Sequence, residues 1–229
     1  MHPSIAEFPN KMFYAAEKLV PVPLKHQLEN RLEYDMPSMD GTDDVLKQHR
    51  MLFIPSPLNL SNDVSEKANR AEARITASLL ARVYRQYGSK FNPNKTIGVI
   101  VPYRNQIAMI RSEIEACGIK ALQQVSIDTV ERYQGSQRDV IIYSFTIQHF
   151  YQLDFLTANS FMEQGRIIDR KLNVAITRAR KQLILTGNER ILRGNTLFGQ
   201  FIDFIRQKGG YYQMPESDLR PEGIETKAE

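Results

Sequence analysis

The sequence predicts a three-layer α/β domain built on a mostly parallel sheet. From about Met51 onward, short apolar runs alternate with stretches of helical period. That alternation is the pattern of right-handed crossovers around parallel strands. Within it, Ile97-Gly98-Val99-Ile100-Val101 is a continuous apolar run rich in β-branched residues, as a strand buried on both faces requires.

In chain order, a helix is expected over residues 4–17, followed by the Pro21-Val22-Pro23 break and a polar stretch. Residues 1–50 therefore read as a leading segment packed on the domain, 51–210 as the domain itself and 211–229 as a polar tail that frays past Glu216. A strand over 51–54 closes at Pro55. Across 65–87, Ala68, Ala71, Ile75, Leu79, Val83 and Tyr87 recur at helical spacing. Pro102 closes the strand over 97–101. Tyr103, Ile107, Ile110, Ile114 and Cys117 then step by four and three along a helix that Gly118 ends. Further strands are expected over 125–129, 140–145 and 183–186. A helix over about 170–180 precedes the last of these, and another carrying Leu197, Phe201, Phe204 and Ile205 follows it. Residues 147–165 read as a loop or insertion carrying Phe150, Tyr151, Phe155 and Phe161.

Composition narrows the function classes. With 42% hydrophobic and 24% charged residues in 229 positions, the chain can bury a core and is not disordered. A formal charge of +4 is compatible with nucleic acid without pointing to it. One cysteine, Cys117, excludes an internal disulfide and sits on the apolar side of its helix as a packed thiol. No signal peptide and no span of roughly 20 apolar residues is visible, so a cytoplasmic protein without membrane contact is expected. The sequence holds no GxxxxGK[ST] loop, no GxSxG elbow and no zinc-ligand spacing among its four scattered histidines. Asp43-Asp44 reads as a solvated turn rather than an acid/base pair, and no metal site is expected.

Two stretches carry chemistry. The polar loop over 128–139 joins two buried strands, and loops at strand carboxyl ends gather ligands in open α/β sheets. Gly135 there permits a positive φ or a close backbone approach; a plain turn is the competing reading. In the stretch over 171–180, Asn173 and Thr177 share one helical face, while Leu172, Ala175, Ile176 and Ala179 pack. On that helix Arg178 and Arg180 would project about 200° apart and do different jobs. Between Arg166 and Arg193 eight basic residues face only Asp169 and Glu189, either an anion site or a solvated face.

Taken together, these segments resemble the C-terminal half of the motor in superfamily 1 helicases, in the group with the nonsense-mediated-decay RNA helicase and its DNA-acting relatives. Residues 1–14 are similar to the family's QYRMHPxIxxFxxxxFY segment without its first three residues. Residues 67–73 resemble its SxxNxxEA stretch, and 97–106 (IGVIVPYRNQ) its IGVITPYxxQ motif. Residues 126–139 resemble motif V, VxTVDxFQGxExD. LNVAITRAR, over 172–180, matches motif VI almost letter for letter. Five motifs in order cover the chain to about Asn188.

The resemblance implies a RecA-like domain, P-loop NTPase-like but without its own P-loop, that completes an ATP site with an N-terminal RecA-like domain of the same polypeptide. Arg178 is the implied arginine finger, the catalytic residue that stabilises charge on the transferred phosphoryl group. Gln134, Gly135, Gln137 and Arg180 are the implied nucleotide-binding partners. Tyr103, Arg104, Asn105 and Thr129 are the implied contacts to single-stranded nucleic acid, with DNA favoured over RNA; for Tyr103, packing on its own helix competes. ATP and Mg²⁺ are expected in the full-length protein, held mainly by the first domain, and the fragment alone is expected to be inactive. Three departures stand out. Gln137 occupies the family's glutamate position, Val101 its threonine position, and the arginine before MHP lies outside the chain. They leave open a degenerate module that binds nucleic acid or protein without turnover.

Overall fold

The computed structural model describes residues 1–14, 18–20, 22–58, 65–133, 135–163 and 166–219. In chain order, its first elements are α1 (Pro3–Met12), α2 (Lys25–Leu28), α3 (Gly41–Gln48), β1 (Met51–Pro55), α4 (Arg70–Tyr87), β2 (Ile97–Val101), α5 (Arg104–Ala116) and β3 (Ser126–Thr129). Then follow β4 (Arg138–Ser144), α6 (Leu153–Thr157), β5 (Ser160–Glu163), β6 (Arg166–Asp169), α7 (Arg170–Thr177), β7 (Ala179–Gly187), α8 (Glu189–Leu192) and α9 (Thr196–Gln207).

Five strands pair in the order β1–β7–β4–β2–β3, and every pairing is parallel. Successive residues of a strand face opposite sides, so the sheet feeds two cores. Phe53, Ile141, Tyr143 and Leu185 join α1, α7 and α9 on one face. Leu52, Ile54, Val99 and Ile142 join α4 and α5 on the other. Helices on both faces of a parallel sheet make the three layers that the alternation predicts.

Capping chemistry sets the helix ends. Asn69 accepts the Glu72 N–H at 3.1 Å and starts α4, which stops at Gly88 with φ +50°. At Cys117 the α5 helix ends, with the half-buried thiol donating to the Glu113 carbonyl at 3.3 Å. No helix among the described residues is long and apolar enough to cross a membrane.

Four expectations change. The first helix stops at Met12, because Phe13 and Tyr14 both close back on the Pro9 carbonyl. Asp43 is no solvated turn: it is fully buried in α3 and paired with Arg82 at 3.0 Å and with Arg85. The expected loop over 147–165 holds, among its described residues, α6 and β5, which pairs antiparallel with β6 from Ser160 and Asp169. The C-terminal stretch is ordered past Glu216. Thr42 Oγ1 donates to Asp218 at 2.6 Å, and Arg82 donates to the Asp218 carbonyl at 2.8 Å. Residues 220–229 lie outside the described residues.

Candidate functional site

The residues singled out in the sequence divide between the two ends of the sheet. Arg178, Arg180 and Gln137 gather where β4 and β7 begin; Tyr103, Arg104, Asn105 and Thr129 stand where β2 and β3 finish.

At the amino end, α7 stops at Thr177 and not near residue 180. The Arg138 N–H donates to the Arg178 carbonyl at 3.1 Å, and Ala179 pairs with Arg138 in the ladder. Sheet hydrogen bonding thus takes over from the helix despite good helix formers in Arg-Ala-Arg. Arg178 is therefore the C-cap of α7, while Arg180 lies in β7. They sit on two different elements rather than about 200° apart on one helix. Between Ala179 and Gln182 the strand carries one more residue than its partner between Arg138 and Val140. Such a bulge re-aims side chains, and Arg180 sits in it.

The part-exposed Arg178 guanidinium donates only within its own turn, to the Val174 carbonyl at 3.3 Å and Thr177 Oγ1 at 3.1 Å. Arg180 reaches Gln137 Oε1 at 3.5 Å. Among the described residues no carboxylate pairs with either arginine. Their neighbours differ: Lys181 is held by Glu33 at 2.7 Å and Asp139 at 3.5 Å, Lys171 by Glu131 at 3.7 Å, and Arg193 by Glu189 and Asp203. Lys171, Lys181 and Arg193 of the basic run are thus committed to carboxylates, whereas Arg178 and Arg180, side by side at the amino end of the sheet, are open to an anion. Two guanidiniums without carboxylate partners suit a phosphate. Gly135 is exposed with φ +81°, the left-handed conformation glycine takes without strain. Gln134 lies outside the described residues.

The loop over 130–137 does not stay at the carboxyl end. It crosses back over the sheet, pinned by Tyr133, whose hydroxyl donates to the Ser126 carbonyl at 2.9 Å at the start of β3. His2 also braces this end: its N–H donates to the Arg180 carbonyl at 2.8 Å. The His2 ring accepts from the Ser4 N–H, and burial with the nearby Arg50 pushes its pKa down to about 4.

At the carboxyl end, Arg104 and Asn105 are exposed at the start of α5, with Asn105 Nδ2 on Ser65 Oγ at 3.1 Å. Thr129 is half-buried. Tyr103 is buried and stacks on Phe155, not on its own helix, with centroids 4.7 Å apart and planes 22° from parallel.

Beneath this end lies a polar network that the sequence does not reveal. The fully buried Glu72 accepts from Ser144 Oγ and the Thr146 N–H, each at 2.7 Å. Its other oxygen accepts from Asn69 at 3.2 Å and Ser56 at 3.3 Å. Gln106 completes the network, accepting the Asn69 N–H at 2.7 Å and donating to its carbonyl at 3.0 Å. Thr146 takes φ +65° to reach Glu72. The N-x-x-E spacing of Asn69 and Glu72 was the available signal, one that by itself marks a helix start. Among the described residues no group of three or more His, Cys, Asp or Glu side chains could hold a metal ion.

A family profile described as an AAA domain matches residues 1–190. The chain is similar to the putative helicase mov-10-B.2 of Danio rerio, 29% identical over 92% of this chain and 21% of that protein. It is 31% identical to the putative helicase MOV-10 of Gallus gallus, over 67% of this chain and 16% of that one. With regulator of nonsense transcripts 1 of Caenorhabditis elegans it shares 28% identity over 96% of this chain and 19% of the relative. The chain spans about a fifth of the length of these curated relatives.

Proposed function

Since the chain belongs to the AAA domain family that superfamily 1 helicases share, we propose that it is the second motor half of an ATP-dependent helicase or translocase. ATP with Mg²⁺ is the proposed substrate, held mainly by an N-terminal RecA-like domain of the same polypeptide. This chain supplies Arg178 as the arginine finger, with Arg180, Gly135, Gln134 and Gln137 completing the nucleotide side. In this role the Arg178 guanidinium stabilises charge developing on the transferred phosphoryl group, an effect worth roughly 10³–10⁵ in rate for such fingers. Tyr103, Arg104, Asn105 and Thr129 serve a single strand, DNA in the first instance. The nematode relative's name, a regulator of nonsense transcripts, makes RNA the strand to run beside it.

One observation carries the proposal. Arg178 and Arg180 stand part-exposed at one end of the sheet without a carboxylate partner among the described residues, while the nearby Lys171 and Lys181 are each paired with one.

The test is ATP hydrolysis by the full-length protein, with and without single-stranded DNA or RNA, in wild type and Arg178→Ala. Strand-stimulated hydrolysis that collapses in the variant while ATP still binds is the expected result. Hydrolysis indifferent to Arg178 would remove the finger assignment. No hydrolysis by the wild type under any condition would favour a module that binds without turnover.

A further inference from the structure

Among the described residues, the aromatic rings that are strongly exposed are Phe150, Tyr151, Phe155 and Phe161, all within the segment between β4 and α7. Two of them, Tyr151 and Phe155, line an open cleft of about 460 Å³ together with Pro102, Tyr103, Arg104 and Lys67. The cleft therefore joins the inserted segment to the strand-end residues already assigned to nucleic acid.

Its walls are held in place. Gln152 donates to the Glu66 carbonyl at 2.8 Å, and Gln148 to the Ala68 carbonyl at 2.6 Å, fixing the insertion to the segment before α4. Phe155 is committed: it stacks on Tyr103, and Lys171 Nζ sits 4.2 Å from its centroid. Tyr151 differs. One face lies parallel to His149, with centroids 5.4 Å apart and planes 9° from parallel, and its hydroxyl bonds to Glu66. Yet the residue is 57% exposed. His149 backs part of one face, and the ring lines the cleft. A ring fixed in orientation, backed by a second ring and open on one face is a stacking platform. Every nucleobase has a π-face to offer it. Lys67 and Arg104 are exposed on the same cleft, and among the described residues neither pairs with a carboxylate, so both suit backbone phosphates.

Resting on the strand-binding reading above, we propose that this cleft seats an unpaired nucleobase of the bound strand on the open face of Tyr151, with Lys67 and Arg104 on the flanking phosphates. The inserted segment thereby adds a base contact to a surface whose other candidate groups address the backbone. Such a contact tolerates any sequence.

The test compares binding of the full-length protein to oligothymidine and to an abasic oligomer with the same number of phosphates. Wild type should bind oligothymidine more tightly. Tyr151→Ala should weaken oligothymidine binding by roughly 5- to 150-fold and leave both abasic binding and the salt dependence unchanged. Tyr151→Phe, which loses only the bond to Glu66, should behave as wild type. Equal weakening on both oligomers, or none on either, would overturn the proposal while strand binding itself stands. Failure of the wild type to bind either oligomer would instead overturn the strand-binding reading, and this proposal with it.

Discussion

Gly98 of β2 lies against the ring of Tyr133, so closely that a β-carbon at position 98 would stand 2.0 Å from the phenolic oxygen and 2.9 Å from Cζ. The glycine of the strand and the tyrosine of the loop over 130–137 thus form one fitted contact, and the loop carrying Gly135 and Gln137 takes its course from it. Tyr133 is 2% exposed and hydrogen-bonded, so it has no open space to retreat into. Gly98→Ala should displace the loop and destabilise the fold by about 1–3 kcal/mol, the usual cost of overpacking. In the full-length protein it should also raise KM for ATP. Adding Tyr133→Phe removes the 2.0 Å clash and should recover part of both losses; thermal unfolding and ATPase kinetics on the single and double variants check this. Full stability and unchanged kinetics in Gly98→Ala would show that the loop does not depend on this contact.

Glu72 governs a pH dependence of stability. Burial raises its pKa to about 7, against the lowering effect of its bonds from Ser144, Thr146 and Ser56. In the unfolded chain it ionises near the ordinary glutamate value of about 4.3. Between those limits the folded state keeps a proton that the unfolded state has released, so stability falls as pH rises through the window, by at most about 1.4 kcal/mol per pH unit. Glu72→Gln does not titrate. From about pH 5 to pH 8, the stability of wild type relative to the variant should therefore drop by about 2–3 kcal/mol, measured by denaturant unfolding. A difference that stays constant, or moves the other way, would mean that the four donors keep Glu72 ionised throughout.

Glu72 and Gly98 owe their surroundings to residues far away in the sequence. The β-branched run of β2 and the helical spacing of α4 were legible because each lies in the core with an unbroken period. The α7–β7 boundary was not, since Arg178-Ala179-Arg180 suits a helix and only the long-range bond from the Arg138 N–H to the Arg178 carbonyl turns it into strand. The four-residue strands β5 and β6 are too short to establish a period in the sequence. Arg178 is legible because it sits in a long motif. Glu72, between Arg70 and Arg74, reads as one more charge on a solvated helix. Its burial arises from Ser56, Gln106, Ser144 and Thr146, which the sequence scatters over ninety positions. Asp43 misled for the same reason, its partners Arg82 and Arg85 lying on another helix.

Gln137 separates two roles that the amino end of the sheet supports. Its side-chain oxygen is 3.5 Å from Arg180 Nε, at the limit of a hydrogen bond, and both side chains reach solvent. That contact is too weak to be the reason for the residue's position. If Gln137 meets the nucleotide directly, the lost contact is felt equally in the ground and transition states, and KM alone responds. Gln137→Ala should then raise KM for ATP roughly 2- to 12-fold, the worth of one neutral hydrogen bond, with kcat unchanged. Gln137→Glu should draw Arg180 into an exposed ion pair worth at most about 1 kcal/mol, shifting KM by no more than about fivefold. Steady-state ATPase assays on the full-length protein measure both. A fall in kcat at constant KM in Gln137→Ala would instead mean that the residue acts on the chemical step through Arg180, which Arg180→Ala should then reproduce.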